Sequence, residues 1–190
     1  MDLLAWIDAD LTGMRTRLFE SVIAGVPMQR WHESADGGGS SIVHLLFHLA
    51  RHQDLAVSTA IRNHAPRFAE HRRALGLLDA DAWVGLAERE DTLVSSRVAP
   101  EALVDYVNDV FAASTAWLGH VGTMALDTIP DSGRRLAGLG DLPVDEVPWL
   151  HRMWSDKAVW WLVQWPVLGH GHAHTGEAIS VRNRMGLSPF

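Results

Sequence analysis

The sequence predicts an all-α protein, a four-helix bundle with a long crossover before its last helix. Three observations lead there: apolar residues recur at steps of three and four in four stretches, no alternating β pattern of useful length occurs, and Gly, Pro and Asp concentrate over 122–148. Residues 3–23 set Leu4, Ile7, Leu11, Met14, Leu18 and Val22 on one stripe, with Gly25 and Pro27 as the stop. A loop through Asp36, Gly37, Gly38 and Gly39 follows. Ser40 or Ser41 then suits the N-cap of a second helix running to about Asn63, with Leu45, Leu49, Ala56 and Ala60 inward. Polar residues around Pro66 precede a shorter helix over 80–96, and Pro100 suits the first turn of the third long helix, 99–122. There Leu103, Val107, Val110, Ser114, Trp117 and Val121 alternate steps of four and three, the spacing of a bundle seam. Pro130, Pro143 and Pro148 forbid one continuous helix over 122–148. The fourth helix spans Trp149 to Met185; Pro166 either re-opens or kinks it, and Gly186 ends it.

With 190 residues and 21.0 kDa, the chain reads as one domain over 1–190 that folds without a disulfide or metal staple, so a metal site would serve function. The 16 basic residues against 23 acidic ones give a formal charge of -7, which disfavours a nucleic-acid partner. The absence of Cys excludes disulfides, thiolate zinc sites, iron–sulfur clusters and a Cys nucleophile, and fits a reducing cytoplasm. Acids and arginines interrupt the first twenty residues, so neither a signal peptide nor a membrane span is expected there. A soluble cytoplasmic protein with no membrane partner is the expectation. Lys157 is the one lysine, and tryptophans outnumber tyrosines by 9 to 1.

Chemistry concentrates in the histidines. His170 and His174 are four residues apart, about 40° of helix rotation, so their side chains stack on one face. They fall on the apolar stripe Val167, His170, His174, Ala178, Val181, where core side chains belong, while His172 faces away. On the second helix His44, His48 and His52 follow at steps of four. His48 points inward with Leu45 and Leu55, and His44 and His52 flank the pocket or reach solvent. Two imidazoles from one helix and a third from another make three nitrogen ligands with a coordination position left open. Zinc fits best; nickel and iron also accept three nitrogens. A di-iron carboxylate site fits poorly, because the 103–121 stripe lacks inward Glu and Glu-x-x-His.

Glu177, three residues after His174, is either a partner that orients the histidine or a base, or else a capping or exposed carboxylate, and His52 is a second supporting candidate. Arg182 and Arg184 either anchor an anionic substrate or complement the helix C-terminus. The tryptophans over 149–165 line an apolar cleft, fill the core or form an oligomer interface. No G-x-S-x-G elbow, phosphate loop or dinucleotide fingerprint is present.

The segment from Ser41 to His52 and the segment from His170 to Glu177 resemble the ligand elements of the DinB-like superfamily of metal-binding four-helix bundles, which includes mycothiol-dependent maleylpyruvate isomerases and related thiol transferases. His48, His170 and His174 match its three ligand positions. Thr175 and Glu177 stand where Arg and Gln are more usual, and no second domain of the isomerase type follows Phe190. The resemblance implies a divalent ion that activates a small thiol such as mycothiol, or a water, for attack on an electrophile. The expected function is thus a thiol-dependent transferase, a homodimer through its apolar helical faces, acting on a small electrophile. The alternative is a non-catalytic metal-binding or stress-response module, in which His52 or Glu177 would close the coordination sphere.

Overall fold

A computed structural model describes residues 2–36, 38–81, 84–140 and 142–190. Among them the chain is all-helical, with no strand. The glycine loop expected at 36–39 and the helix expected over 80–96 include Gly37, Ala82 and Trp83, which lie outside the described residues.

Helix α1, Leu3–Leu18, starts where the Asp2 carboxylate accepts the Leu4 N–H at 3.0 Å, and it buries Ile7, Leu11, Met14 and Leu18. It continues through one wide π-type turn, Phe19–Ile23, so the expected 3–23 segment is helical throughout. Helix α2, Ile42–Asp54, is capped by Ser41, whose hydroxyl accepts the His44 N–H at 3.2 Å, and it extends through π-type turns over Leu55–Ile61. Two short helices follow, α3 at Phe68–His71 and α4 at Asp91–Arg97; the latter is shorter than the expected 80–96. Helix α5, Pro100–Leu118, opens with Pro100 in its first turn, where a missing N–H costs nothing. A 3-10 turn at Thr123–Asp127 and helix α6, Ser132–Ala137, occupy the Pro-rich connection.

The expected fourth helix divides. Helix α7, Pro148–Trp154, ends because the Ser132 and Ser155 hydroxyls take the carbonyls of Trp154 and His151, and because Asp156 adopts a positive φ of 58°. The chain turns helical again at α8, Val159–Leu162, runs through π-type turns over Val163–Gly169 and continues as α9, His170–Arg182. Pro166 lies inside the π-type turns, so it falls within this helical run rather than opening it.

Helix α2 is the centre of the molecule: every residue from Ile42 to Asp54 is buried, and it packs against α9, α5 and α4, while α1 packs against α5 and α9. Gly171 allows the α1–α9 approach, since a Cβ there would lie 2.5 Å from the Met14 sulfur. Burying polar groups on α2 requires partners for them. Asp54 accepts four bonds, from the Ser58 and Tyr106 hydroxyls and the Arg67 and Phe68 amides, at 2.8–3.0 Å. The Arg51 guanidinium lies 3.9 Å from the centroid of the Phe68 ring, and Gln53 donates to Ser114 at 2.9 Å. These contacts hold the register of the helix that carries His48 and His52.

Candidate metal centre

Four imidazoles from two helices pack together. His48 and His52 come from α2, and His170 and His174 from the first turns of α9. Ring centroids lie 4.1–4.8 Å apart for the pairs His48–His52, His48–His170, His48–His174, His52–His170 and His170–His174. The helical period accounts for the two i, i+4 pairs, and the packing of α2 against α9 joins them.

The rings of His48, His52 and His174 are each oriented by what their other nitrogen touches. His48 donates its Nδ1–H to the Gly85 carbonyl at 2.7 Å, which leaves the Nε2 lone pair facing His170. His174 donates its Nδ1–H to the Glu177 carboxylate at 2.9 Å, which frees its Nε2 in the same way. The Nε2 of His170 lies 3.1 Å from that of His48 and 3.2 Å from that of His174. Three nitrogen ligands on a tetrahedral zinc would be about 3.3 Å apart at bond lengths of about 2.0–2.1 Å. Without a cation the three nitrogens are poorly matched. One Nε2–H on His170 can serve only one neighbour well, and the buried Nδ1 of His170 has no hydrogen-bond partner.

Protonating His48 or His170 is no remedy. Burial, reinforced by the neighbouring His174, lowers the pKa of His48 to about 4, although its bond to Gly85 opposes the shift. Burial followed by His174 and His48 lowers that of His170 to about 3. Burial also holds His52 well below the ordinary histidine range. All three are neutral at pH 7, the form a metal requires.

His48, His52 and His170 form a group that could hold a metal ion, with nitrogens within 4.8 Å of one another. His52 bonds the Leu86 backbone, and its Nε2 is buried without a partner. Its ring, however, stacks on that of His170 at 4.1 Å and 27°. Two nearly parallel, offset planes cannot both contain one nearby ion. The planes of His48, His170 and His174 cross at 48°, 71° and 90°, angles compatible with convergence.

The remaining expected residues fall as follows. His44 is buried, stacked on His48 at 5.6 Å with its Nδ1 3.8 Å from Asp91, and it does not line the cavity. His172 faces away and donates to Asp10 at 3.2 Å, beside a separate groove that holds Trp6 and Trp160. Arg182 donates to the Ser21 carbonyl at 2.8 Å and to Asn183, and Arg184 to the carbonyls of Ala35, Asp36 and Gly38. Arg182 ties the C-terminal helix to the end of the first helical segment and Arg184 ties it to the loop before α2; neither lines the histidine cavity. The tryptophans divide: Trp149, Trp154 and Trp165 line that cavity, with Trp149 parallel to His52 at 5.9 Å, while Trp160 does not. The cavity holds about 350 Å³, and Met153, Leu86 and Ala87 complete its wall.

Sequence reasoning missed the loop at 85–87. Glu90 accepts the N–H groups of Gly85, Leu86 and Ala87 on one carboxylate oxygen at 2.9–3.1 Å, so one side chain fixes the loop whose backbone orients His48 and His52. The only local signal was a glycine. Gly85 has φ +83°, and a Cβ there would lie 2.4 Å from the Phe47 ring.

No family model matches the chain, and no curated protein matches it. Among solved structures, the crystal structure of a conserved protein from Enterococcus faecalis resembles it over 98% of this chain and 99% of that one. The TM-score is 0.68 at 18% identity, a likeness of fold alone. None of these comparisons shows the DinB-like superfamily.

Proposed function

We propose that the chain is a divalent-metal-dependent four-helix bundle, with residues 122–148 as its crossover, whose His48, His170 and His174 hold the ion, and that it acts as a thiol-dependent S-transferase on a small electrophile. One observation carries the metal reading: the Nε2 of His170 sits 3.1–3.2 Å from two other Nε2 atoms whose own rings are pinned by Gly85 and Glu177. Zinc suits three imidazole ligands best. When bound, such an ion keeps its full charge and lowers the pKa of a small thiol or a water. The chain's residues do the rest: Gly85 and Glu177 hold ligand tautomers, and Trp149, Trp154 and Trp165 exclude water from one side of the cavity. With no Cys in the chain, the nucleophile comes from outside the protein. Mycothiol is the thiol that the motif resemblance suggests.

Metal analysis of the purified protein tests this. The expected content is about one divalent ion per chain, lost in His48→Ala, His170→Ala and His174→Ala but kept in His172→Ala. Full occupancy in the His170→Ala/His174→Ala double variant would overturn the site. Thiol transfer is tested on cobalt-substituted protein: mycothiol or bacillithiol should change the visible spectrum and conjugate to a generic electrophile above background. Failure of both leaves the second reading, a metal-binding module. That reading is favoured by His52, whose Nε2 is buried beside the cluster without a partner and would close the coordination sphere once its ring rotated out of the stack on His170.

A further inference from the structure

The transferase reading leaves the organic ligand unspecified, and the wall opposite the histidines constrains it. Met153 and Trp165 are among the exposed large apolar residues of the molecule, at 39% and 43%, and both border this cavity. Trp149, one turn before Met153 on α7, also borders the cavity and stands parallel to the His52 ring, 20° between planes. Exposed aromatic and thioether surface around a concavity is surface a ligand would cover. The two cations that an anionic substrate would have used, Arg182 and Arg184, are engaged with backbone carbonyls elsewhere, and no described residue lining the cavity is Lys or Arg. With the thiol sulfur on the metal, a carboxylate held against Trp165 and Met153 would find no Lys or Arg in the described lining to pair with. The volume of about 350 Å³ suits a small ring system.

We infer that the cavity selects a neutral, flat, apolar group, an arene, as the organic part of its ligand, and rejects the same skeleton bearing a carboxylate. The inference rests on the transferase reading for the presence of a thiol, but the arene preference belongs to the wall and is separable from it. Calorimetry on zinc-loaded protein with three probes reads it: benzyl mercaptan should bind at least tenfold more tightly than either 4-(mercaptomethyl)benzoate or 2-mercaptoethanol. Trp165→Ala, at a half-exposed position that leaves the core intact, should erase the advantage of benzyl mercaptan over 2-mercaptoethanol. Equal or tighter binding of the carboxylate probe, or an advantage that survives Trp165→Ala, overturns the inference. Benzyl alcohol, which lacks sulfur, separates the two failures. If no thiol binds but saturation-transfer NMR shows benzyl alcohol on the wild type and not on Trp165→Ala, the thiol reading falls and the arene preference stands. Absence of benzyl alcohol binding to the wild type overturns the preference whatever the metal does.

Discussion

The Gly85 carbonyl accepts the Nδ1–H of His48 at 2.7 Å across 37 residues of chain, so a backbone atom in a loop chooses the tautomer of a histidine on the central helix. Gly85 can do this because it holds φ +83° against the Phe47 ring. Gly85→Ala would introduce both a strained φ and a Cβ 2.4 Å from Phe47. The expected destabilisation is roughly 2–4 kcal/mol, read from urea unfolding of the metal-free protein. A variant as stable as wild type would show that the loop can move away without loss.

Glu177 is half-exposed and contributes little to the core, yet it fixes the His174 ring. Glu177→Ala should therefore leave the fold intact and weaken metal binding by about 10–100-fold in competition with a chromogenic chelator. Glu177→Gln retains an acceptor oxygen and should fall between. Unchanged affinity in Glu177→Ala would remove it from the site.

Glu90 ties three consecutive amides with one oxygen. In Glu90→Ala the amides of Gly85, Leu86 and Ala87 should exchange with solvent at least tenfold faster, read by hydrogen-exchange NMR, as the loop loses its shared acceptor. Metal affinity should fall with it, because His48 and His52 lose their fixed backbone partners.

The depressed histidine pKa values fix the sign of the pH dependence. In the unfolded chain His48 and His170 take up protons near pH 6.5, whereas in the fold they resist until about 4 and about 3. The unfolded state then binds more protons as pH falls through this window, so stability is full above about 6.5 and declines from there toward 4. Thermal unfolding of metal-free protein between pH 7.5 and 4.5 should show this decline, shallower in His170→Asn. Metal loading should steepen it, since protons compete for the same lone pairs. A flat profile would mean that the imidazoles are accessible to water.

Arg182→Ala should lower the unfolding midpoint while leaving metal content and probe binding unchanged, because its guanidinium serves the Ser21 carbonyl and Asn183. Loss of ligand binding with normal stability would instead assign it to the site.

What the sequence determined by itself was whatever depends on contacts within a few residues. The 3.6-residue period set the stripes of α1 and α5 and brought His170 beside His174; Ser41 capped α2 through a bond to the amide three residues on; Pro100 and Pro166 acted on their own turns. What only the tertiary structure decided depended on groups distant in the chain. The break between Trp154 and Val159 carries no Gly or Pro; it exists because Ser132 takes the Trp154 carbonyl and Thr128 the Val159 amide. Arg184 looked free to bind an anion until loops some 150 residues earlier placed their carbonyls against it. Whether His52 faces the cavity, and that Gly85 and Glu90 serve the histidines at all, followed from the packing of the 84–90 loop on α2. Those contacts run through backbone carbonyls and amides, which every residue possesses, so no side-chain pattern marks them in a sequence.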